Sequence, residues 1–163
     1  PTCKAKGMEY EILPWVAENM DYMQSYRLTP EDTLSYSFSS QKGVYDFKDF
    51  YESDRMKTVD DMIKNSDEFL AYLGYKREGI FYKIEKPNEE HIAVFCHGGF
   101  GSAWISHLLN VAPAAMYPQI SLNTTSVTEF IFKNEEAGYT RPTLKHLGQI
   151  EHIRRAGLKV NNR

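Results

Sequence analysis

Cysteine is scarce in this chain. Its 163 residues hold two, Cys3 and Cys96, too few and too far apart for a disulfide framework, which points to a reducing, cytoplasmic setting. No run approaches the ~18 apolar residues of a membrane span, and no signal peptide is visible, so no membrane partner is expected. Positive charge is not in excess: the net charge is −3, which argues against nucleic acid or an anionic membrane as a partner and requires any phosphate site to be basic only locally. The five histidines are His91, His97, His107, His146 and His152. None of the other four makes a metal-ligand spacing with His97, so neither a metal nor a cofactor is expected. The glycine-rich GGFG run is not followed by Lys-Ser or Lys-Thr, which excludes a P-loop. Internal repeats and low-complexity segments are absent from the sequence.

What is present is ordinary globular composition, 42% apolar and 25% charged, at a length that buries one core and implies a single domain over 1–163. PTCKAKG reads as the last turn of a helix capped by Gly7. That reading implies that earlier chain is cut away or absent, the alternative being a naturally frayed start. A strand is expected over Tyr10–Leu13, ending at Pro14. Residues 28–57 are rich in Ser, Asp, Tyr and Phe and too long for a simple connection, which suggests an insertion or lid. Thr58 to Tyr75 is the best helix: Thr58 is a capping residue type, and Val59, Met62, Ile63, Leu70 and Leu73 share one face. GIFYKI, from Gly79 to Ile84, reads as a strand before a turn at Lys86-Pro87-Asn88. His91–Cys96 reads as a buried central strand with Cys96 a buried free thiol. A helix over Gly101–Leu109, a strand over Ser126–Phe132, a turn at Thr140-Arg141-Pro142 and a short strand or turn leading into a terminal helix over Leu144–Ile153 follow. The basic tail, 154–163, is expected to be mobile. Alternating strands and helices of this kind predict an α/β fold with a mostly parallel sheet.

The most informative stretch is AVFCHGGFGSAW, from Ala93 to Trp104. An apolar run stops at His97, two glycines follow, and a helix begins. Ligands of open α/β sheets sit beyond the carboxyl ends of strands, and a helix N-terminus favours anions. Gly98 and Gly99 let a ligand approach the backbone, because neither carries a Cβ. His97 could contact an anionic oxygen or act as a general base. The bland alternative is a tight strand-to-helix turn with an incidental histidine.

FCHGGFG, a helix ending SHLLN, then SLNTTSVTEF and a closing RPTLKHLG together resemble the C-terminal portion of the histidine phosphatase superfamily, in its phosphoglycerate mutase-like branch. The resemblance runs from about Lys4 to Ile153 and is loose between Met20 and Gly79. It implies a three-layer α/β fold around a mostly parallel central sheet. In that family a histidine of an Arg-His-Gly motif takes the phosphoryl group, a second histidine at the position of His97 contacts the phosphoryl oxygens, and a glutamate serves as acid and base. ILPWVAE matches the segment that carries the glutamate, so Glu18 is the candidate proton donor. The glycine that often follows it a few residues later is absent here.

No Arg-His-Gly occurs in the sequence. The resemblance therefore implies that the N-terminal part of the fold, about 60–80 residues on the scale of two βα units, lies outside this chain together with the nucleophile. The expected function is phosphomonoester hydrolysis, or phosphoryl transfer through a phosphohistidine. The expected partner is a phosphorylated small molecule or a phosphoprotein. The alternatives are phosphoglycerate mutase activity or a non-catalytic phosphate-binding or scaffold protein. The 163 residues alone are expected to be inactive, since a lost positioned acid or base costs ~10²–10⁴-fold and the nucleophile is essential. Candidate phosphate-binding residues are His97, Gly98 and Gly99. Asn123 and Ser102 are candidates for substrate contact, with turn formation and helix capping as their respective alternatives. His107, Trp104 and Phe100 read as structural.

Overall fold

The computed structural model describes residues 2–18, 38–39, 44–45, 57–136 and 138–160. The expected insertion at 28–57 lies almost entirely outside them. Helix α1, Thr2–Lys6, ends as the sequence predicts: Gly7 adopts φ 64°, and the Met8 N–H reaches back to the Cys3 carbonyl at 2.9 Å, closing the helix end. A 3-10 turn spans Pro14–Val16. Strands β1, Phe38–Ser39, and β2, Val44–Tyr45, form a small antiparallel pair.

Helix α2, Lys57–Tyr72, is the organising element. Val59, Met62 and Leu70 are buried on it, at the helical spacing that the sequence shows. Gly74 ends it with φ 101°, and a Cβ there would come within 2.5 Å of the Lys86 carbonyl oxygen, so only glycine fits this close return of the chain. The N–H groups of Glu85 and Lys86 both bond the Gly74 carbonyl, at 2.9 and 3.2 Å. Strands β3, Tyr75–Glu78, and β4, Phe81–Ile84, make a hairpin. The sequence reading placed β4 but ran the helix through Tyr75, three residues past its end at Tyr72. Tyr75 faces the core instead as the first residue of β3.

Helix α3, Gly98–Leu108, packs on α2. Helix α4, Pro113–Met116, and a 3-10 turn, Tyr117–Gln119, follow. Strand β5, Val127–Ile131, pairs with β7, Thr143–Gln149, while β6, Tyr139–Thr140, extends the hairpin to give the order β3-β4-β6. Helix α5, Glu151–Arg155, buries Ile153. It contains Arg154 and Arg155, which the sequence reading had assigned to a mobile tail; residues 161–163 of that tail lie outside the described residues.

Two apolar clusters hold these elements. Val59, Met62, Phe100 and Ala103 form one, with Trp15, Val16 and Tyr117 against it. Leu70, Tyr75, Tyr82 and Leu108 form the other, with Phe130 and Phe132 against it. Trp104 touches both clusters and donates its indole N–H to Ser66 Oγ at 2.7 Å. It also stands edge-on to Trp15, with ring centroids 5.4 Å apart.

The expected three-layer fold with a mostly parallel sheet is not what the chain forms: every strand pair among the described residues is antiparallel. Two expected strands are absent for the same reason. Tyr10–Leu13 and His91–Cys96 lie outside any ladder, with Tyr10, Ile12, Ile92 and Phe95 exposed. Apolar composition alone cannot distinguish a buried strand from an unpaired segment, since a strand exists only where a neighbour supplies hydrogen bonds.

Candidate functional site

The site forms where two unrelated segments meet at the start of α3. His97 is the N-cap residue, with φ −92° and ψ 161° and no side-chain cap bond. Its carbonyl accepts the first helical bond, from the Gly101 N–H at 2.8 Å. The first N–H groups of a helix have no intrahelical acceptor, and α3 has no acidic residue in its first turn. Its N-terminus thus presents N–H groups and partial positive charge beside the His97 imidazole. The helix starts at Gly98, three residues earlier than the sequence reading placed it.

Glu18 arrives from the other side. Trp15 and Val16 pack against the first cluster, and the Trp15 ring lies 5.5 Å from that of Phe100. This anchor, two residues before Glu18, brings its carboxylate over α3. Glu18 Oε2 stands 3.8 Å from His97 Nδ1, with the imidazole 70% exposed and the carboxylate 23%. Gly99 makes room for this: a Cβ there would run into Glu18 Oε1. Gly99 therefore admits the carboxylate to the helix end, a sharper role than the general backbone access argued from sequence, while the Cβ position of Gly98 faces Leu122.

The structure brings His97, Gly98, Gly99 and Glu18 together. Asn123 is beside them, as the Leu122 carbonyl just before it lies 3.7 Å from the Cβ position of Gly98, and the Asn123 carbonyl accepts the Ser126 N–H in a turn. Ser102 is different. It is buried and its hydroxyl donates to the Gly98 carbonyl at 2.9 Å, so it is neither the helix cap nor turned to a ligand. Tyr117 was not singled out from sequence. Its hydroxyl lies 3.6 Å from the Cβ position of Gly99, and an aromatic residue between two prolines gives no sequence cue to that location.

Cys96 departs from the expected buried residue. The residue as a whole is exposed, while its sulfur is tucked 3.6 Å from the Cβ position of Gly101. Burial of the sulfur, with the Glu18 charge adding to it, pushes the thiol up to about 11. A thiol held protonated is a poor nucleophile.

A second histidine–carboxylate pair lies at the other end of α3. His107 Nε2 is 2.9 Å from Asp67 Oδ1. A carboxylate only accepts, so Nε2–H donates. Arg77 Nε stands 3.8 Å from Asp67 Oδ2, and the same guanidinium bonds the Tyr82 hydroxyl and Asn110 Oδ1. Asn110 holds φ 56°, a left-handed helix end where glycine is usual, and its side chain serves as the acceptor for Arg77. Burial raises the Tyr82 hydroxyl to about 12, against the lowering by Arg77 and with a further rise from Asp67. Arg77, His107 and Asn110 border a hollow of about 240 Å³ with Ile63, Val111 and Pro113.

No cluster of three or more potential metal ligands occurs among the described residues, and no helix there is long and apolar enough to cross a membrane. No family model, curated protein or solved structure matches the chain, so its chemistry is read from this geometry and from the sequence resemblance.

Proposed function

We propose that this chain carries one wall of a phosphoryl-transfer site of the histidine phosphatase type, acting on phosphomonoesters. The observation that supports it is the convergence of His97 and Glu18, far apart in sequence and 3.8 Å apart in space, on a glycine-opened helix N-terminus. In this reading His97 and the N–H groups of Gly98 and Gly99 hold the phosphoryl oxygens. The nucleophilic histidine comes from polypeptide outside these 163 residues. Its ring nitrogen attacks phosphorus, the P–O bond to the alcohol breaks, and the leaving oxygen takes the proton of Glu18. Water then attacks the phosphorus and gives a proton back to Glu18 while the P–N bond breaks, which restores the histidine and releases inorganic phosphate. Exposed apolar side chains at Met8, Tyr10, Ile12, Ile92 and Phe95, on the two segments that lead to the site, support further polypeptide covering this end. The cytoplasmic setting belongs to the same reading, with Cys3 and Cys96 both unpaired.

The test is p-nitrophenyl phosphate turnover by the 163-residue chain and by the same chain joined to its natural upstream sequence. Turnover by the longer form and none by the shorter is expected. Robust turnover by the short form overturns the assignment of the nucleophile. Phosphate binding at His97 with turnover in neither form would instead make the protein a non-catalytic phosphate binder.

A further inference from the structure

The hollow of about 240 Å³ lies at the C-terminal end of α3, away from His97. One wall is apolar, made by Ile63, Val111 and Pro113. The other is polar, made by Arg77, His107 and Asn110. Asn110 and Val111 are exposed, so the hollow opens to solvent on their side. The Val111 N–H bonds the Ser106 carbonyl and the Asn110 N–H bonds the His107 carbonyl. This closure takes up the last carbonyls of α3 and mutes the negative end of the helix.

Unused donors dominate the polar wall. A guanidinium only donates, so the Asn110 side-chain oxygen is the atom that meets Arg77. Its amide nitrogen points the other way, and neither of its N–H groups has a partner among the described residues. Arg77 carries five N–H groups. Its Nε edge stands against Asp67, one terminal nitrogen bonds the Tyr82 hydroxyl and the other bonds Asn110. The 3.5 Å approach of Arg77 to His107 Nε2 is no bond, because Nε2–H is already given to Asp67 and both groups donate. One N–H on each terminal nitrogen is left over. Asp67 is shared between His107 and Arg77 and is not among the residues that border the hollow. The His107–Asp67 pair is thus closed, and the open groups are Arg77 and Asn110.

The geometry points to a binding site for a small monocarboxylate with a compact apolar body. Its carboxylate takes the spare N–H groups of Arg77 and Asn110, and its body lies on Ile63, Val111 and Pro113. A planar guanidinium suits a carboxylate in shape as well as charge. An apolar cavity of ~150 Å³ already holds benzene, so 240 Å³ suits a ligand the size of benzoate. This site is separate from the phosphoryl-transfer reading and does not depend on it.

The experiment is an NMR titration of the 163-residue chain with sodium benzoate, and with benzamide as its uncharged counterpart of the same shape. The Asn110 side-chain amide and the His107 ring are followed. Benzoate is expected to shift both along one curve, with a dissociation constant in the millimolar range, as for a ligand of about nine non-hydrogen atoms. Benzamide is expected to bind roughly 10-fold more weakly, as loss of a charge-assisted bond. Asn110→Asp keeps an oxygen for Arg77 and a residue type that tolerates the left-handed turn. It also sets a negative charge where the ligand carboxylate would lie, and is expected to abolish binding. If benzoate moves neither group, or shifts the His97 ring instead, the site is not there. If benzamide binds as tightly, or Asn110→Asp binds benzoate as well as the native chain does, the hollow does not select a carboxylate and the inference fails. The comparison of benzoate with benzamide on the native chain decides the matter even should Asn110→Asp not fold.

Discussion

The two ends of helix α3 carry the same pair of groups in opposite settings. At the N-terminal end His97 faces Glu18 at 3.8 Å with its imidazole 70% exposed. Roughly 15 Å along the helix, at 1.5 Å per residue, His107 meets Asp67 at 2.9 Å with its imidazole 6% exposed. The buried pair is tight and tied to Arg77. The open pair is loose and sits over two glycines. A close, desolvated pair contributes to stability and leaves little room for a ligand. An open pair contributes almost nothing to stability, and its lone pairs and protons are left for something else to use.

The largest effect expected from this contrast is on folding. Asp67→Ala leaves His107 and Arg77 without their common partner and should cost about 2–4 kcal/mol, toward the range for breaking a buried pair and tempered by the partial exposure of Asp67. Glu18→Ala should change stability by less than about 1 kcal/mol, as for exposed pairs. Urea denaturation of both variants checks this, and equal losses would erase the distinction between the two ends.

A comparable effect is expected on the alkaline side. The Tyr82 hydroxyl ionises at about 12 in the folded chain against 10 otherwise. The folded state therefore holds its proton more tightly. The stabilisation is complete below pH 10 and is lost as pH rises toward 12, by about 2–3 kcal/mol at most. Denaturation midpoints across that window should fall in the native chain and fall less steeply in Tyr82→Phe.

The smallest change in stability is expected where the effect on the site is greatest. In Gly99→Ala the new methyl meets only the end of a flexible side chain, Glu18 Oε1. Alanine inside a helix gains up to about 1 kcal/mol over glycine. The variant should be as stable as the native chain or slightly more so, with Glu18 displaced from His97. Thermal unfolding gives the first result, and loss of the His97 response to inorganic phosphate gives the second. A strongly destabilised variant would mean that the glycine serves packing instead.

Helix α2 was legible because Val59, Met62 and Leu70 repeat at helical spacing, and α3 because an apolar run ends in His-Gly-Gly. Strand β5 falls within the expected Ser126–Phe132. The first hairpin strand, Tyr75–Glu78, was not legible: four residues, three of them charged, show too little alternation to mark a strand. Arg77, Asp67 and Asn110 were not seen as a group either, since polar residues from three elements have no common period. For the site, His97 stood out from the apolar run and glycine pair around it, Glu18 came from resemblance to a family, and Tyr117 escaped because packing against a distant cluster, rather than its neighbours in sequence, places it.

By itself the sequence determined the local order: which segments are helical, where glycine must end or open them, and that an imidazole would stand at a helix N-terminus. Only the tertiary structure decided pairing. It made the strands antiparallel and left Tyr10–Leu13 and His91–Cys96 unpaired. It set Glu18 beside His97 and closed Asp67 on His107. The reason is physical: helix and turn preferences are local, whereas a strand partner or a buried ion pair depends on which distant segments the apolar core brings together.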